Sequence, residues 1–342
     1  MARTETSASE KAGSSQKKKI GLVLQGGGAL GAYEAGAIEC LYEHGMECAI
    51  VSGASSGAVN AVMLAAAKGY PPDVLKKMWR EFAVDPKLPL PSPIRHSWSA
   101  FGVPHMYRPR LDIWQAQTWT YVADNTPFKE TLEHLDWDQV NDPDHMRVFL
   151  SATNVDNGQK RYFSNTGGQH LAVEHVLASG SFPGGFPWTV IEGRRWWDGG
   201  LAENTPLKPI IEHLKDNEAE TMPIYTIDVN TGAGPTPANL TEVWLRMFEI
   251  LLQNSMEADM KRAGSYGRFI KVLKEIEKNN YVPEDAEIRN SPDWKKVMDY
   301  VHLRHLHVID MKKPGGDSPS DFAPESIERR LAEGREQMCA HL

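Results

Sequence analysis

Cysteine is scarce in this sequence: Cys40, Cys48 and Cys339 are the whole complement. An odd, widely spaced set gives no CxxC pair and no disulfide framework. It predicts buried thiols behaving as small apolar residues, in a reducing compartment. Long apolar runs are also missing. The longest, residues 58–67, is about half of the ~20 residues that a membrane-spanning helix needs. The N-terminal stretch is polar and has no apolar signal core, so the expectation is a soluble cytoplasmic protein, with secretion by a route needing no hydrophobic signal left open. Basic charge is in deficit. A net charge of −8 and a pI near 5.9 argue against sequence-independent nucleic-acid binding and give no general attraction to anionic lipid.

The 342 residues, 41% of them hydrophobic, suffice for one large α/β domain or one domain with a substantial insertion. Residues 1–18 are rich in Ser, Lys and Glu and lack a hydrophobic period, which predicts a disordered tail. Residues 20–24 are a continuous apolar run ending in Gln25 and three glycines, the pattern of a buried strand in a parallel sheet. Ala32, Ala35, Ile38, Leu41 and Tyr42 recur at helical spacing, residues 48–51 read as a second strand, and 58–67 as a helix buried all round. A β-α-β-α order implies a parallel sheet with right-handed crossovers. Residues 85–127 mix seven prolines with Trp98, Phe101, Tyr107, Trp114, Trp119 and Tyr121, and read as an insertion over one face. Strands are expected at 147–153 and 159–163, a short helix at 171–178, a hairpin at 189–197 and a buried strand at 223–229. A long amphipathic helix at 241–262, a late strand at 301–310 and a Pro-initiated helix at 324–338 follow.

The chemistry sits in Gly26-Gly27-Gly28-Ala29-Leu30-Gly31 and in Gly53-Ala54-Ser55-Ser56-Gly57. Glycines after a strand let backbone amides converge on a ligand, and the helix start beyond them adds a positive dipole end. Such amides can hold the oxyanion of a tetrahedral intermediate. The residues assigned to that hole are Gly26, Gly27, Gly28 and Ala29, chiefly Gly27 and Gly28, with Gly31 as motif support. In a Gly-x-Ser-x-Gly turn the central Ser55 is the nucleophile, and Gly53 and Gly57 leave room for a strained backbone. Ser56 is the rival. The base is Asp198, in Asp198-Gly199-Gly200 at the end of a predicted strand, although Asp-Gly-Gly taken alone is ordinary turn chemistry.

Other readings share the same residues. Gly26-x-Gly28-x-x-Gly31 satisfies GxGxxG, but a dinucleotide site also wants an acid at the end of the second strand, and Ile50-Val51-Ser52-Gly53 has none. A Ser-His-Asp esterase would draw on His302, His305, His307 or His341, which alternate with apolar residues or end the chain, and a metal site from them lacks a second cluster. A P-loop lacks its Gly-Lys-Ser/Thr. A non-catalytic acyl-ligand binder on the same fold stays open.

With the segment Ala178-Ser179-Gly180-Ser181-Phe182-Pro183 added, the ordered motifs resemble the patatin-like phospholipases over residues 20–230. The resemblance implies a three-layer αβα sandwich with a mainly parallel central sheet. It implies a Ser55–Asp198 dyad that cleaves carboxylic esters of lipids, of phospholipase A, lysophospholipase or carboxylesterase type, with no cofactor and no metal. Gly199 and Gly200 support the motif around Asp198. A lipid or acyl ester is the expected partner, with peripheral membrane contact and no nucleic acid; the oligomeric state is not indicated. The domain expectation is a catalytic unit over 19–230, with 85–127 as insertion or lid, and a C-terminal helical extension over 231–342 packed on it. Two positions depart from many members of the family: Gln25 stands where they carry Asp, and Leu30 where they carry Arg or Lys.

Overall fold

The computed structural model describes residues 17–89, 91–215, 221–229, 306–310 and 318–342, with isolated positions and short stretches between 216 and 294. The expected tail up to residue 16, residues 301–305 and most of the helix expected at 241–262 lie outside the described residues; of that helix only 243, 246, 247 and 250 are described, all of them helical.

The first half follows the apolar pattern. β1 (Lys18–Leu24) runs into the glycine loop and α1 (Gly31–Glu43). β2 (Met46–Gly53) pairs parallel to β1 and leads into α2 (Ser56–Ala65). Every residue of α2 is buried, as its small and apolar composition requires. α3 (Pro71–Glu81) begins on two prolines, which suit a first helical turn, and turns Leu75, Met78 and Trp79 inward.

Most of the segment expected as an insertion, 85–127, lies between α3 and the helix that begins at Thr126. It contains α4 (Ser92–His96), 3-10 turns, and a minimal ladder between β3 (Arg108–Pro109) and β4 (Ala123–Asp124). Proline-dense chain cannot donate to a sheet ladder, which accounts for the sparse regular structure. α5 (Thr126–Glu133) and α6 (Trp137–Val140) then return to β5 (Arg147–Asn154). β6 (Lys160–Ser164) is its antiparallel partner, followed by α7 (Val173–Ser179), the hairpin β7 (Thr189–Ile191) and β8 (Arg194–Asp198), α8 (Leu207–Glu212) and β9 (Ile224–Asp228). β10 (Leu306–Asp310) and α9 (Pro324–His341) close the described chain.

The strand order is β10-β9-β1-β2-β5-β8-β7, with β6 also paired to β5. β10, β9, β1, β2 and the start of β5 are parallel; β6, β7 and β8 are antiparallel additions. Helices cover both faces. The larger core joins the sheet to α1, α2, α3 and α9, and a smaller one buries Leu207, Ile210 and Ile211 of α8 against Val23, Ile50 and Phe149. The architecture is the expected αβα sandwich.

The cysteine expectation requires correction. Cys40 of α1 and Cys339 of α9 form a disulfide, and only Cys48 is a free buried thiol. A separation of 299 residues leaves no local spacing signal from which to read this pairing. One ground for expecting a reducing compartment falls with it. Among the described residues no helix is long and apolar enough to cross a membrane.

Candidate active site

β5 decides where the candidate residues meet. Residues 147–150 of β5 pair with β2, and residues 152–154 pair with β8 on the same edge, because β6 occupies the other edge from Phe149 to Thr153. β2 and β8 therefore approach along one line from opposite directions. Ser55 lies just past the end of β2, and Asp198 is the last residue of β8, paired with Ala152.

Ser55 sits in a forced backbone conformation, φ 50° and ψ −120°. A positive φ on a serine costs of order 1–3 kcal/mol and persists only where the surroundings over-determine it. Here they do. The Ser55 N–H is bound by Ser179, through both its carbonyl and its hydroxyl at 3.1 Å. Behind the turn, a Cβ at Gly53 would strike the Gly57 carbonyl, and one at Gly57 would strike the Leu24 carbonyl. The strand-to-helix turn closes only because both residues lack side chains.

Asp198 is held from the same segment: its N–H donates to the Ser181 carbonyl at 3.0 Å. The stretch Ala178-Ser179-Gly180-Ser181 thus grips the two candidate residues from Ser179 and Ser181, two positions apart. Asp198 Oδ1 accepts the Gly200 N–H at 2.8 Å, while Oδ2 is buried and has no completed hydrogen bond. Burial pushes the Asp198 carboxyl up to about 6, against the opposing pull of the Ser55 hydroxyl and the Gly200 amide. A carboxyl in that range is charged at neutral pH and still basic enough to accept a proton.

The glycine loop passes over Ser55. A Cβ at Gly26 would lie 2.6 Å from Asn204 Oδ1 and 2.8 Å from Ser55 Cβ. Three of the four expected oxyanion amides are already committed. Gly26 N–H donates to Asn204 Oδ1 (3.0 Å), Gly27 N–H to Ser56 Oγ (3.0 Å) and Ala29 N–H to the Pro319 carbonyl (2.8 Å). Gly28, at φ +55°, lines the cavity, and its N–H makes no hydrogen bond to the described residues. The Ser56 N–H in the first turn of α2 is likewise open, and that helix start has no side-chain cap. Ser56 itself is spent: its hydroxyl fixes Gly27, so the rival nucleophile serves as a strut.

The two departures from the family pattern are both structural here. Gln25 is fully buried. Its Nε2 donates to Thr205 Oγ1 at 2.7 Å, and its Oε1 accepts the Val229 N–H at 3.1 Å, tying the end of β1 to the chain after Asp198 and after β9. Leu30 is buried in the larger core. Below the loop, Glu34 accepts the Gln25 N–H at 2.6 Å and the Asn60 side-chain amide at 2.8 Å; its burial drives its pKa well above the usual carboxylate range.

Ser55 and Asp198 open into a cavity of about 630 Å³. Its wall is dominated by apolar side chains, among them Met106, Tyr107, Phe128, Leu177, Phe182 and Phe186. The insertion supplies one side, and Pro319, Ser320 and Phe322 from near the C-terminus supply another. No histidine lines it among the described residues. His307 stacks on Tyr225 and touches His341 instead, while His302 and His305 lie outside the described residues.

Sequence reasoning quoted Ser179 and Ser181 as part of a motif but gave them no role, and it missed Asn204, the Ser56 amide and the C-terminal contribution. Of the missed groups the Ser56 amide had a local signal, since the residue after such a nucleophile commonly donates to the oxyanion.

A family model described as Patatin-like phospholipase matches residues 22–211. Among solved structures the chain is similar to VipD from Legionella pneumophila, at 16% identity over 95% of this chain and 66% of that one, with a TM-score of 0.46. It is also similar to the heterodimeric ExoU–SpcU complex from the type III secretion system of Pseudomonas aeruginosa, at 18% identity over 72% of this chain and 52% of that one, with a TM-score of 0.32. The chain spans just under two thirds of the first and about half of the second.

Proposed function

The chain belongs to the patatin-like phospholipase family, and from that premise we propose that it is a lipid acyl hydrolase working through Ser55 and Asp198. The observation that carries this reading is Asp198 Oδ2: a buried carboxylate oxygen without a completed hydrogen bond, beside a strained serine, on the floor of an apolar cavity. Buried polar atoms in folded proteins are nearly always satisfied, so an open one beside a hydroxyl marks a place kept for a proton.

In this mechanism Asp198 takes the Ser55 hydroxyl proton as Oγ attacks the ester carbonyl. The carbonyl oxygen becomes an oxyanion, and the Gly28 and Ser56 N–H groups are the donors available to hold it. The leaving alcohol or lysolipid departs with the proton from Asp198, and Ser55 carries the acyl group. A water then gives its proton to Asp198 and attacks the acyl carbonyl. The fatty acid leaves as the proton returns to Ser55. The apolar cavity accommodates the acyl chain.

The membrane surface is the partner we assign to the insertion. Phe101, Leu111 and Trp114 are 68%, 80% and 78% exposed, on the same segment that walls the cavity. Exposed apolar groups beside a lipid-sized opening are placed to enter the interfacial layer of a bilayer, where tryptophan partitions well.

The test is hydrolysis of p-nitrophenyl esters of graded chain length by wild type and Ser55→Ala purified side by side, with fluorophosphonate labelling of both. Turnover and labelling in the wild type alone are expected. Equal turnover in both proteins overturns the assignment of Ser55, and a folded but unlabelled wild type favours the acyl-binding alternative.

A further inference from the structure

The last helix lies outside the residues matched by the family model, yet it reaches into the glycine loop. Arg330 of α9 is fully buried. Its Nη1 donates to the Ala29 carbonyl at 3.3 Å and to the Asp321 carbonyl at 2.6 Å, and its Nη2 donates to the Ser318 carbonyl at 3.1 Å. The Asp321 carboxylate lies 3.8 Å from Nη2 and also binds His96 of the insertion and Ser326 of α9. Between Ser318 and Asp321, Pro319 presses on the loop from the same side. Its carbonyl accepts the Ala29 N–H at 2.8 Å and would lie 2.5 Å from a Cβ at Gly28.

The flanks of Gly28 are therefore fixed from different parts of the chain. Gly27 is tied to Ser56, and Ala29 is tied at its N–H to Pro319 and at its carbonyl to Arg330. The loop residues 26–31 are glycines, an alanine and a leucine, with no polar side chain to fix their own peptide planes. A glycine run left to itself samples many backbone states. We propose that Arg330 is a positioning residue of the active site: it clamps the glycine loop, through Ala29 and the 318–321 strap, in the conformation that presents the Gly28 amide to the cavity. This rests on the hydrolase reading above, and it gives the C-terminal helix a part in the reaction.

The chemistry of the side chain fits the task. A planar guanidinium can bridge several carbonyls at fixed angles, whereas an ammonium acts as a point donor. Burying that charge is costly and is offset here by carbonyl oxygens and the Asp321 carboxylate. The helix that carries Arg330 is itself seated without slack. A Cβ at Gly334 would strike the Tyr33 carbonyl, and one at Gly36 would strike the Leu331 carbonyl, so α1 and α9 touch backbone to backbone. The Cys40–Cys339 disulfide closes the same contact further along.

The experiment compares full-length wild type, Arg330→Met and Arg330→Lys. It reads kcat and KM for a short soluble ester, fluorophosphonate labelling rate, thermal unfolding, and hydrogen exchange of peptides covering residues 25–31. For Arg330→Met the expected result is faster exchange in that loop and a fall in kcat and labelling of about tenfold or more, a fraction of the roughly 10²–10³ that a deleted oxyanion donor costs. KM stays within about twofold of wild type. Arg330→Lys falls between the other two in both exchange and kcat. A merely structural arginine would lower the unfolding temperature and leave the kcat of the folded fraction and the exchange of 25–31 unchanged; that pattern overturns the proposal. If Arg330→Met does not fold, Arg330→Lys decides alone by the same two readouts. If the wild type neither turns over ester nor labels, the hydrolase reading fails by itself, and loop exchange still reports whether Arg330 holds the loop.

Discussion

Ser55 and Asp198 stand at the facing ends of β2 and β8, which share one edge of β5 and run toward each other. Leu150 pairs with Gly53 at the end of β2, and two residues later Ala152 pairs with Asp198. The distance between the two side chains is thus set by hydrogen-bond register in a strand that contributes neither of them. Registers of this kind are rigid, so the pair is built to hold its spacing.

The backbone strain at Ser55 separates stability from turnover. Ser55→Gly relieves the positive φ, which Ser55→Ala retains. Both variants lose essentially all ester hydrolysis, while the glycine variant is the more stable of the two by about 1 kcal/mol. Thermal unfolding of the purified pair checks this; an alanine variant that melts above the glycine variant means the turn stores no strain.

Asp198 gives a pH profile with a definite sign. Its folded pKa of about 6 lies above its ordinary value of 3.8. As the charged form is the base, log kcat/KM rises with pH with unit slope below about 6 and levels off above it. Stability runs the other way: the folded state binds the proton more tightly, so this contribution is full below pH 3.8 and is lost as pH rises through about 6. The buried charge then costs on the order of 3 kcal/mol at neutral pH. Asp198→Asn is accordingly inactive but melts higher than wild type at pH 7.5, and the difference shrinks toward pH 4. A variant destabilised equally at both pH values contradicts the raised pKa.

The Cys40–Cys339 bridge spans a sequence separation of 299 residues. Cross-links over long loops stabilise by about 2–4 kcal/mol. Reductant should lower the unfolding temperature of wild type and leave that of a Cys40→Ser/Cys339→Ser double variant unchanged. A wild type insensitive to reductant would mean that the pairing is absent in solution.

The insertion predicts a split between soluble and membrane-bound substrate. Leu111→Ser with Trp114→Ser removes exposed apolar surface from side chains outside the main cavity wall. Sedimentation with phosphatidylcholine vesicles and hydrolysis of vesicle lipid should each fall by about tenfold or more, since each buried large side chain contributes about 1.5–3 kcal/mol. Hydrolysis of a short soluble ester should stay within about twofold. Unchanged vesicle sedimentation rules the surface out as a docking site.

Local pattern made much of the parallel half of the fold legible. The run at 20–24, the buried helix after Ser55 and the hairpin before Asp198 appear where period and turn residues place them. The candidate nucleophile and base were equally legible as motif residues, because a strained turn and a strand that ends in a tight turn each call for glycines at fixed offsets. What failed was partnership at long range. Cys40 carries no mark of Cys339, and Ala29 none of Arg330, because each pairing is created by the crossing of α1 and α9.

By itself the sequence determined which backbone positions must be glycine, which runs must be buried, and which serine and aspartate those turns display. These follow from local sterics and hydrophobic period, which depend only on neighbours in the chain. The tertiary structure alone decided which amides remain free, that Gly26, Gly27 and Ala29 spend theirs on Asn204, Ser56 and Pro319, and that a C-terminal arginine holds the loop. A hydrogen bond belongs to two groups at once. When those groups lie hundreds of residues apart, only the packed fold brings them within 3 Å.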